Sequence, residues 1–484
     1  MLLNIIIILP LLAAAIAALL PSERWRPWLL PAAAIPHLFL VWRIITQPAA
    51  PTDAAAMLAL DALGSLILLV VSLLFTISSI YALGYFKTHP TWSNRTFIVC
   101  LLLFLGAMSF AAAARHLGLL WVAVEATTVV SAPMIYFNHN RFSIEATWKY
   151  LLFCSVGIAL AMLGILFLAY AGLHSGVEPI LQLDFLLREA PHFSKPWLRA
   201  GFVFLFVGFG TKMGLAPLHT WKPDAYGEAP GLVGGLLAGG LTSVAFLAVL
   251  RAVQIVNAAG EAQLARQCLL ALGVLSLVFA AVFVIRQRDI KRMLAYSSVE
   301  HMGILAIGVA VGGLATYGAM FHVLNNALTK GALFMSAGNI HRYFGSKKMC
   351  ETQGAISILP WSAGIFLAGF LAVAGSPPFG PFLSEFTILR GIFGAGQTGL
   401  GLAFIFLLTV IFIGMSHTVV NVVLGPPMEE TEEEINDRHV LKEGVLTVLG
   451  PLFLMALVLV LGLYVPPPLR DLFHQAAELL EVGR

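Results

Sequence analysis

Apolar residues in this chain come in long runs, each about the length a helix needs to cross a lipid bilayer, roughly 20 residues. Fourteen such runs can be marked, over about 2–20, 28–46, 62–86, 96–114, 117–137, 146–171, 198–219, 230–257, 268–286, 292–311, 316–340, 358–394, 399–424 and 443–464. Two of them are interrupted. The seventh contains Gly214-Leu-Ala-Pro217, and the overlong twelfth contains Gly375-Ser-Pro-Pro-Phe-Gly-Pro381. Proline removes a backbone donor and frees a carbonyl, so each of these two helices is expected to break there. The predicted fold is an all-α polytopic membrane protein of about fourteen transmembrane helices, with helices seven and twelve broken. After Pro466-Pro-Pro468 the tail Leu469–Val482 reads as a short amphipathic helix lying at the membrane interface.

Composition agrees with the pattern and narrows the function. Hydrophobic residues make up 59% of the 484 and charged residues 11%, where a soluble domain carries about 25% charged. The net charge is only +3. A soluble enzyme, a disordered chain and a nucleic-acid binder acting through positive charge are all excluded. The four cysteines (Cys100, Cys154, Cys268, Cys350) form no CxxC pair and read as thiols packed in helices. The apolar N-terminus has no basic flank before it, so it reads as the first span and not as a cleaved signal. Loops after odd-numbered spans hold sixteen Lys and Arg, and the other side holds ten. The strongest inputs are the clusters Arg286–Arg292 and Arg342–Lys348. The positive-inside rule then puts the odd loops in the cytoplasm and both termini outside. The acidic run Glu429–Glu434 is either a solvated cytoplasmic loop or a docking surface for a peripheral partner.

A charge in the middle of a bilayer costs about 2.5–3.5 kcal/mol on insertion scales. Four charges fall there: Glu125 in span five, Lys212 in span seven, Lys330 in span eleven and Glu385 in span twelve. Glu300, His301, His322 and His417 add polar groups at depth. A single Glu–Lys pair fixing helix packing would be the ordinary explanation. Acids, lysines and histidines spread over five or more helices point instead to a proton relay, because attraction and desolvation pull a buried Glu–Lys pair in opposite directions. Separating Glu125 from Lys212 would let the lysine release its proton. Burial lowers the basicity of Lys readily, whereas Arg would stay charged. Asp61 opens the third span and reads as its cap.

The breaks strengthen this reading, since non-helical backbone at membrane depth is tolerated only inside protein or beside water. Lys212 and Glu385 each lie within five residues of a break. Interrupted helices in corresponding places of two halves are a pointer to a transport site. Spans four to eight (96–257) and nine to thirteen (268–424) are of similar length, with the broken helix fourth in each. An odd number of spans per set inverts the second relative to the first. The organisation expected is therefore 1–95 with three helices, an inverted pair of five-helix repeats over 96–257 and 268–424, and 425–484 with the acidic loop, the last helix and the tail. Gly231, Gly235 and Gly239 mark close helix packing. Gly394–Gly399 matches a dinucleotide pattern but joins two spans with no strand before it. No motif for a cofactor or metal is found, so the energy for transport must come from a partner or an ion gradient.

Several segments carry a resemblance. Lys212–Ala225 with Glu228-Ala-Pro, Asp289–Gly303, Phe321–Lys330 and Ser384-Glu-Phe386 resemble helices seven, ten, eleven and twelve of the antiporter-like subunits of respiratory complex I and its relatives. Leu119–Thr128 and Ser-Ser-Val-Glu-His look most like component F of the hydrogenase-4 and formate hydrogenlyase type. The resemblance implies fourteen helices with two inverted repeats. It implies that Glu125 and Lys212 form the first carboxylate–lysine pair, that His219 is the seventh-helix histidine, and that His322 and Lys330 lie on a central polar axis. Glu385 is implied to belong to the exit half-channel. Many members carry a Lys in the eighth helix where Ser243 stands here. Either Ser243 with water bridges the halves, or His322 and Lys330 take over, or the relay is impaired.

The function expected is proton translocation within a hydrogenase-linked or complex I-like membrane complex, through Glu125, Lys212, His219, Ser243, Glu300, His301, His322, Lys330 and Glu385. Partners would be other membrane subunits, peripheral redox subunits reached through them, and the lipid bilayer of a bacterial or archaeal cell membrane. The transported ion is a proton, with Na⁺ as the alternative. The rivals are a subunit of a multisubunit Na⁺/H⁺ antiporter and a non-pumping anchor for redox subunits. No catalytic redox site is expected in the chain itself.

Overall fold

In a computed structural model, the described residues are 2–46, 56–87, 93–426 and 443–481. The acidic run Glu429–Glu434 lies outside them. The described residues are all-helical, without strands. We label the helices α1 Leu2–Leu19, α2 Leu29–Thr46, α3 Ala62–Lys87, α4 Arg95–Ala113, α5 Leu117–Ile135, α6 Arg141–His174, α7 Lys195–Met213 and α8 Lys222–Glu228. Then follow α9 Gly231–Ala258, α10 Ala262–Val284, α11 Ile290–Val311, α12 Leu314–Phe344, α13 Pro360–Val373, α14 Gly380–Gly394, α15 Thr398–Leu424, α16 Val445–Leu463 and α17 Pro467–Glu481.

Among the described residues, eleven helices are long and apolar enough to cross a membrane, which makes this an integral membrane protein. The expected spans seven and eleven fall outside that number because of their polar side chains, and span twelve because its two halves are short. α7 carries Lys195, Arg199 and Lys212, α12 carries His322, Asn325, Asn326 and Lys330, and the twelfth run is split into α13 and α14. Polarity is concentrated in the helices that hold the site.

The interior is built from α3, α9, α11 and α12, which have few exposed positions. α9 is wholly buried. Its Gly231, Gly235 and Gly239 lie bare against Gly338, Gly331 and Ala327 of α12, so the two backbones touch. A π-helical stretch over Leu236–Leu241 interrupts α9, a local widening that often sits at functional sites. Around this core α6 packs on α7, α10 on α11, and α12 on α13 and α14. The outer helices α1 and α15 expose large apolar side chains such as Leu12, Leu19, Leu402 and Phe406, as a lipid-facing surface requires.

Local chemistry sets the helix starts. Asn140 and Ser143 form a reciprocal cap on α6, with Ser143 N donating to Asn140 Oδ1 at 2.7 Å. Asp289 Oδ1 accepts from Lys291 N and Arg292 N at the start of α11. Asp61 caps α3 by accepting from Gly64 N at 2.8 Å. It also holds the guanidinium of Arg251 with two hydrogen bonds, at 2.6 and 2.8 Å.

The tail is helical and amphipathic, as its pattern predicts. The apolar face of α17 packs on protein: Leu469, Leu472, Phe473, Ala476 and Leu480 are buried against α3, α12 and neighbouring helices. Asn257 Nδ2 and Gln254 Nε2 of α9 donate to its last carbonyls. All four cysteines are free thiols.

Candidate functional site

Both helix breaks are real and similarly built. α7 stops at Met213, and Gly214 follows with φ +79°, a left-handed C-terminal cap. The carbonyl of Thr211 at the break accepts from Gly214 N at 3.1 Å and from Trp221 Nε1 at 2.9 Å. α13 stops at Val373, and Gly375 follows with φ +66°. The chain then re-enters helix at Gly380, whose carbonyl accepts from Asn325 Nδ2 of α12 at 3.0 Å.

Each break glycine also leaves room for a charged side chain. A Cβ on Gly214 would collide with Lys222 Cε, and a Cβ on Gly375 would collide with Glu385 Oε2. The first of these overturns a reading of the sequence. Lys222 stands among polar residues beyond the seventh apolar run, 198–219, where the sequence pattern reads as a loop. It is fully buried at the start of α8, with Nζ donating to Ser298 Oγ at 3.2 Å.

Lys212 is also fully buried. It does not form a direct ion pair with Glu125. Its Nζ donates to Thr128 Oγ1 at 2.7 Å and to Tyr150 Oη at 2.8 Å, and Thr128 Oγ1 donates to Glu125 Oε2 at 3.0 Å. The hydroxyl is therefore the link. Glu125 itself is only half-buried, and its other oxygen accepts from exposed Ser155 at 3.3 Å. The second half repeats the arrangement. Lys330 Nζ donates to Ser297 Oγ at 2.6 Å, and Ser297 Oγ donates to Glu300 Oε2 at 3.2 Å. Two lysine–hydroxyl–carboxylate triads result. Lys222 lies between them, within electrostatic range of Lys330, and shares Cys154 as a neighbour with Lys212.

Beyond Lys330 lies an imidazole pair. His301 Nδ1 and His322 Nε2 are 2.9 Å apart, and His322 Nδ1 is 2.9 Å from Ser384 Oγ. Glu385 Oε1 comes to 3.9 Å from His301 Nδ1. Glu385 also lines a cavity of about 330 Å³ beside Gly375, Ser376, Phe404 and Phe412.

Three expected residues stand apart from these links. Ser243 spends its hydroxyl on the carbonyl of Gly239, at 2.6 Å, and no link joins it to the lysines. His219 makes no hydrogen bond to these groups; it is buried against the rings of Phe279 and Tyr296, within electrostatic range of Lys222. His417 is exposed on α15 and away from the axis. Sequence reasoning missed Thr128, Tyr150, Lys222, Ser297 and Ser298. Hydroxyls are common inside helices and carry no signal alone. Lys222 could have been found by asking why a lysine follows Trp221 directly at the end of a broken span.

Comparison with known proteins shows the family and the fold. A family profile described as NADH:quinone oxidoreductase/Mrp antiporter, TM, matches residues 114–414. A hydrogenase-4 component F homolog of Methylacidiphilum infernorum (isolate V4) is 33% identical over 379 residues, covering 77% of each chain. An NADH-quinone oxidoreductase subunit N of Desulforudis audaxviator (strain MP104C) is 33% identical over 341 residues, covering 70% of this chain and 67% of that one. The fold matches a chain of the membrane-bound sulfane sulfur reductase, an archaeal respiratory membrane complex, with TM-score 0.88 at 21% identity over 99% of this chain and 98% of that one. The chain is an antiporter-like membrane subunit and belongs to the NADH:quinone oxidoreductase/Mrp antiporter transmembrane family.

Proposed function

We propose that this chain translocates protons as a subunit of a hydrogenase-linked or complex I-like membrane complex, along a file of buried side chains. One observation carries the reading: lysines 212, 222 and 330 and carboxylates 125, 300 and 385 are interleaved with hydroxyls and imidazoles across both halves of the fold. A hydroxyl between ammonium and carboxylate can accept a proton from one while giving its own to the other. The lysine then becomes neutral and the carboxylate an acid, with no atom moving more than a bond length. Protons enter at Glu125–Thr128–Lys212, cross the middle on Lys222, pass Lys330–Ser297–Glu300, and leave through His301, His322 and Glu385. Water or side-chain rotation joins the segments. Lys222 takes the place that Ser243 cannot fill, because Ser243 stores no proton and its hydroxyl is already used.

The same reading assigns fourteen transmembrane spans, two inverted repeats over 96–257 and 268–424, and both termini outside. The matching breaks at Gly214 and Gly375 support the repeats. The flank of half-buried Glu125 and exposed Ser155 is where a neighbouring membrane subunit would sit. Peripheral redox subunits would supply the energy. A Na⁺/H⁺ antiporter subunit is the second reading, favoured by the Mrp part of the family description.

Reconstituting the complex that contains this chain into vesicles tests both. Proton uptake should persist in sodium-free medium and vanish in Lys330→Met. Uptake that requires sodium would favour the antiporter reading, and full uptake in assembled Lys330→Met would remove the proposed file.

A further inference from the structure

We propose that His301, His322 and Glu385 form a binding site for a borderline divalent cation of the Zn²⁺ class, placed where it would plug the exit side of the file. One nitrogen of each histidine and a carboxylate oxygen of Glu385 lie within 4.8 Å of one another, the single such group of three among the described residues. Zn²⁺ takes nitrogen at about 2.0–2.1 Å and oxygen at about 2.0–2.2 Å, so tetrahedral ligand atoms stand roughly 3.3 Å apart. The observed separations of 2.9 Å between the imidazoles and 3.9 Å to the carboxylate bracket that value.

One tautomer leaves the metal-facing atoms bare. With Ser384 Oγ donating to the Pro381 carbonyl, at 2.9 Å, it accepts from His322 Nδ1–H. His322 Nε2 is then bare, and His301 Nδ1–H points at it. A metal would take His322 Nε2 directly. It would take His301 Nδ1 after that proton moves to Nε2, and His301 also has the Val373 backbone within hydrogen-bond reach. Glu385 Oε1 is buried and unpartnered. The Ser384 bond is the kind of outer contact that orients a metal-bound histidine. Two imidazoles select a borderline transition ion over Na⁺, which prefers an all-oxygen shell. Glu385 lines the 330 Å³ cavity, which supplies the entry path. Lys330 lies nearby, and Glu385 with Glu300 offsets its charge.

The blocking consequence rests on the proton-relay reading; the binding does not. Zn²⁺ is titrated against a chelating dye into the purified complex. Wild type should bind one Zn²⁺ that His301→Gln, His322→Gln and Glu385→Gln each weaken by about tenfold or more, while exposed His417→Gln leaves it unchanged. X-ray absorption at the zinc edge of the wild-type complex should show two imidazoles, a reading that needs no variant to fold. Equal Zn²⁺ binding in all variants, or a zinc shell lacking imidazole, overturns the site. Zinc bound here with undiminished proton uptake would leave the site standing and overturn the plug. Loss of uptake in the relay variants of a complex whose wild type binds no Zn²⁺ would retain the relay and overturn the site.

Discussion

Lys212 and Glu125 never touch; the hydroxyl of Thr128 stands between them, 2.7 Å from the ammonium and 3.0 Å from the carboxylate. Ser297 holds the same place between Lys330 and Glu300 in the second half. This makes the hydroxyl a participant in proton movement and not a spectator of an ion pair. Thr128→Ala deletes the bridge and leaves a buried ammonium short of one acceptor, a loss of about 1–3 kcal/mol. Proton uptake by vesicles should fall about tenfold or more, and Thr128→Ser, which keeps the oxygen, should retain most of it.

Lys222 should behave as a proton carrier and not as a packing residue. Lys222→Met keeps the length of the side chain and removes an expensive buried charge. The complex should assemble at least as well as wild type and yet lose proton uptake. Ser243→Ala should leave uptake unchanged, because the Ser243 hydroxyl serves only its own helix. Strong loss in Ser243→Ala, with Lys222→Met active, would reverse the assignment.

The two break glycines make a paired prediction. Gly214→Ala and Gly375→Ala each place a Cβ where a functional side chain lies, and each forces a left-handed residue at about 1–2 kcal/mol. Proton uptake should fall in both variants. Thermal unfolding of the purified protein should show a modest loss of stability, far smaller than the loss of transport.

Asp61 gives a pH prediction outside the spans. Burial pushes its carboxyl up, but the charge and hydrogen bonds of Arg251, the Gly64 amide and Arg115 outweigh it and hold the group down at about 2. An unfolded aspartate titrates near about 3.9. The stabilisation is therefore complete above that value and disappears as pH falls through about 2. Asp61→Asn leaves Arg251 buried without its carboxylate, at about 3–5 kcal/mol. Its thermal midpoint should drop at neutral pH and lose the acid dependence that this group confers on wild type.

Much of this was legible in the sequence because membranes make charge conspicuous. Lys212, Lys330, His322 and Glu385 stand out as polar residues inside apolar runs, and Pro217 and Pro378 announce the breaks. What the sequence conceals is the medium between the charges. Thr128 and Ser297 are ordinary helix residues until the fold brings a lysine beside each. Lys222 hides for a different reason: with His219, Thr220 and Asp224 around it, the stretch after the break reads as a loop, and only the space left by Gly214 returns the side chain to the interior. The tail helix likewise showed its amphipathic face but not what covers it, because protein and lipid ask for the same apolar residues.

The most direct test of the relay is redox-driven proton uptake by vesicles carrying the assembled complex with Lys212→Ala. The proposed file predicts that uptake disappears while the complex assembles as in wild type. Normal uptake by the assembled variant would contradict it.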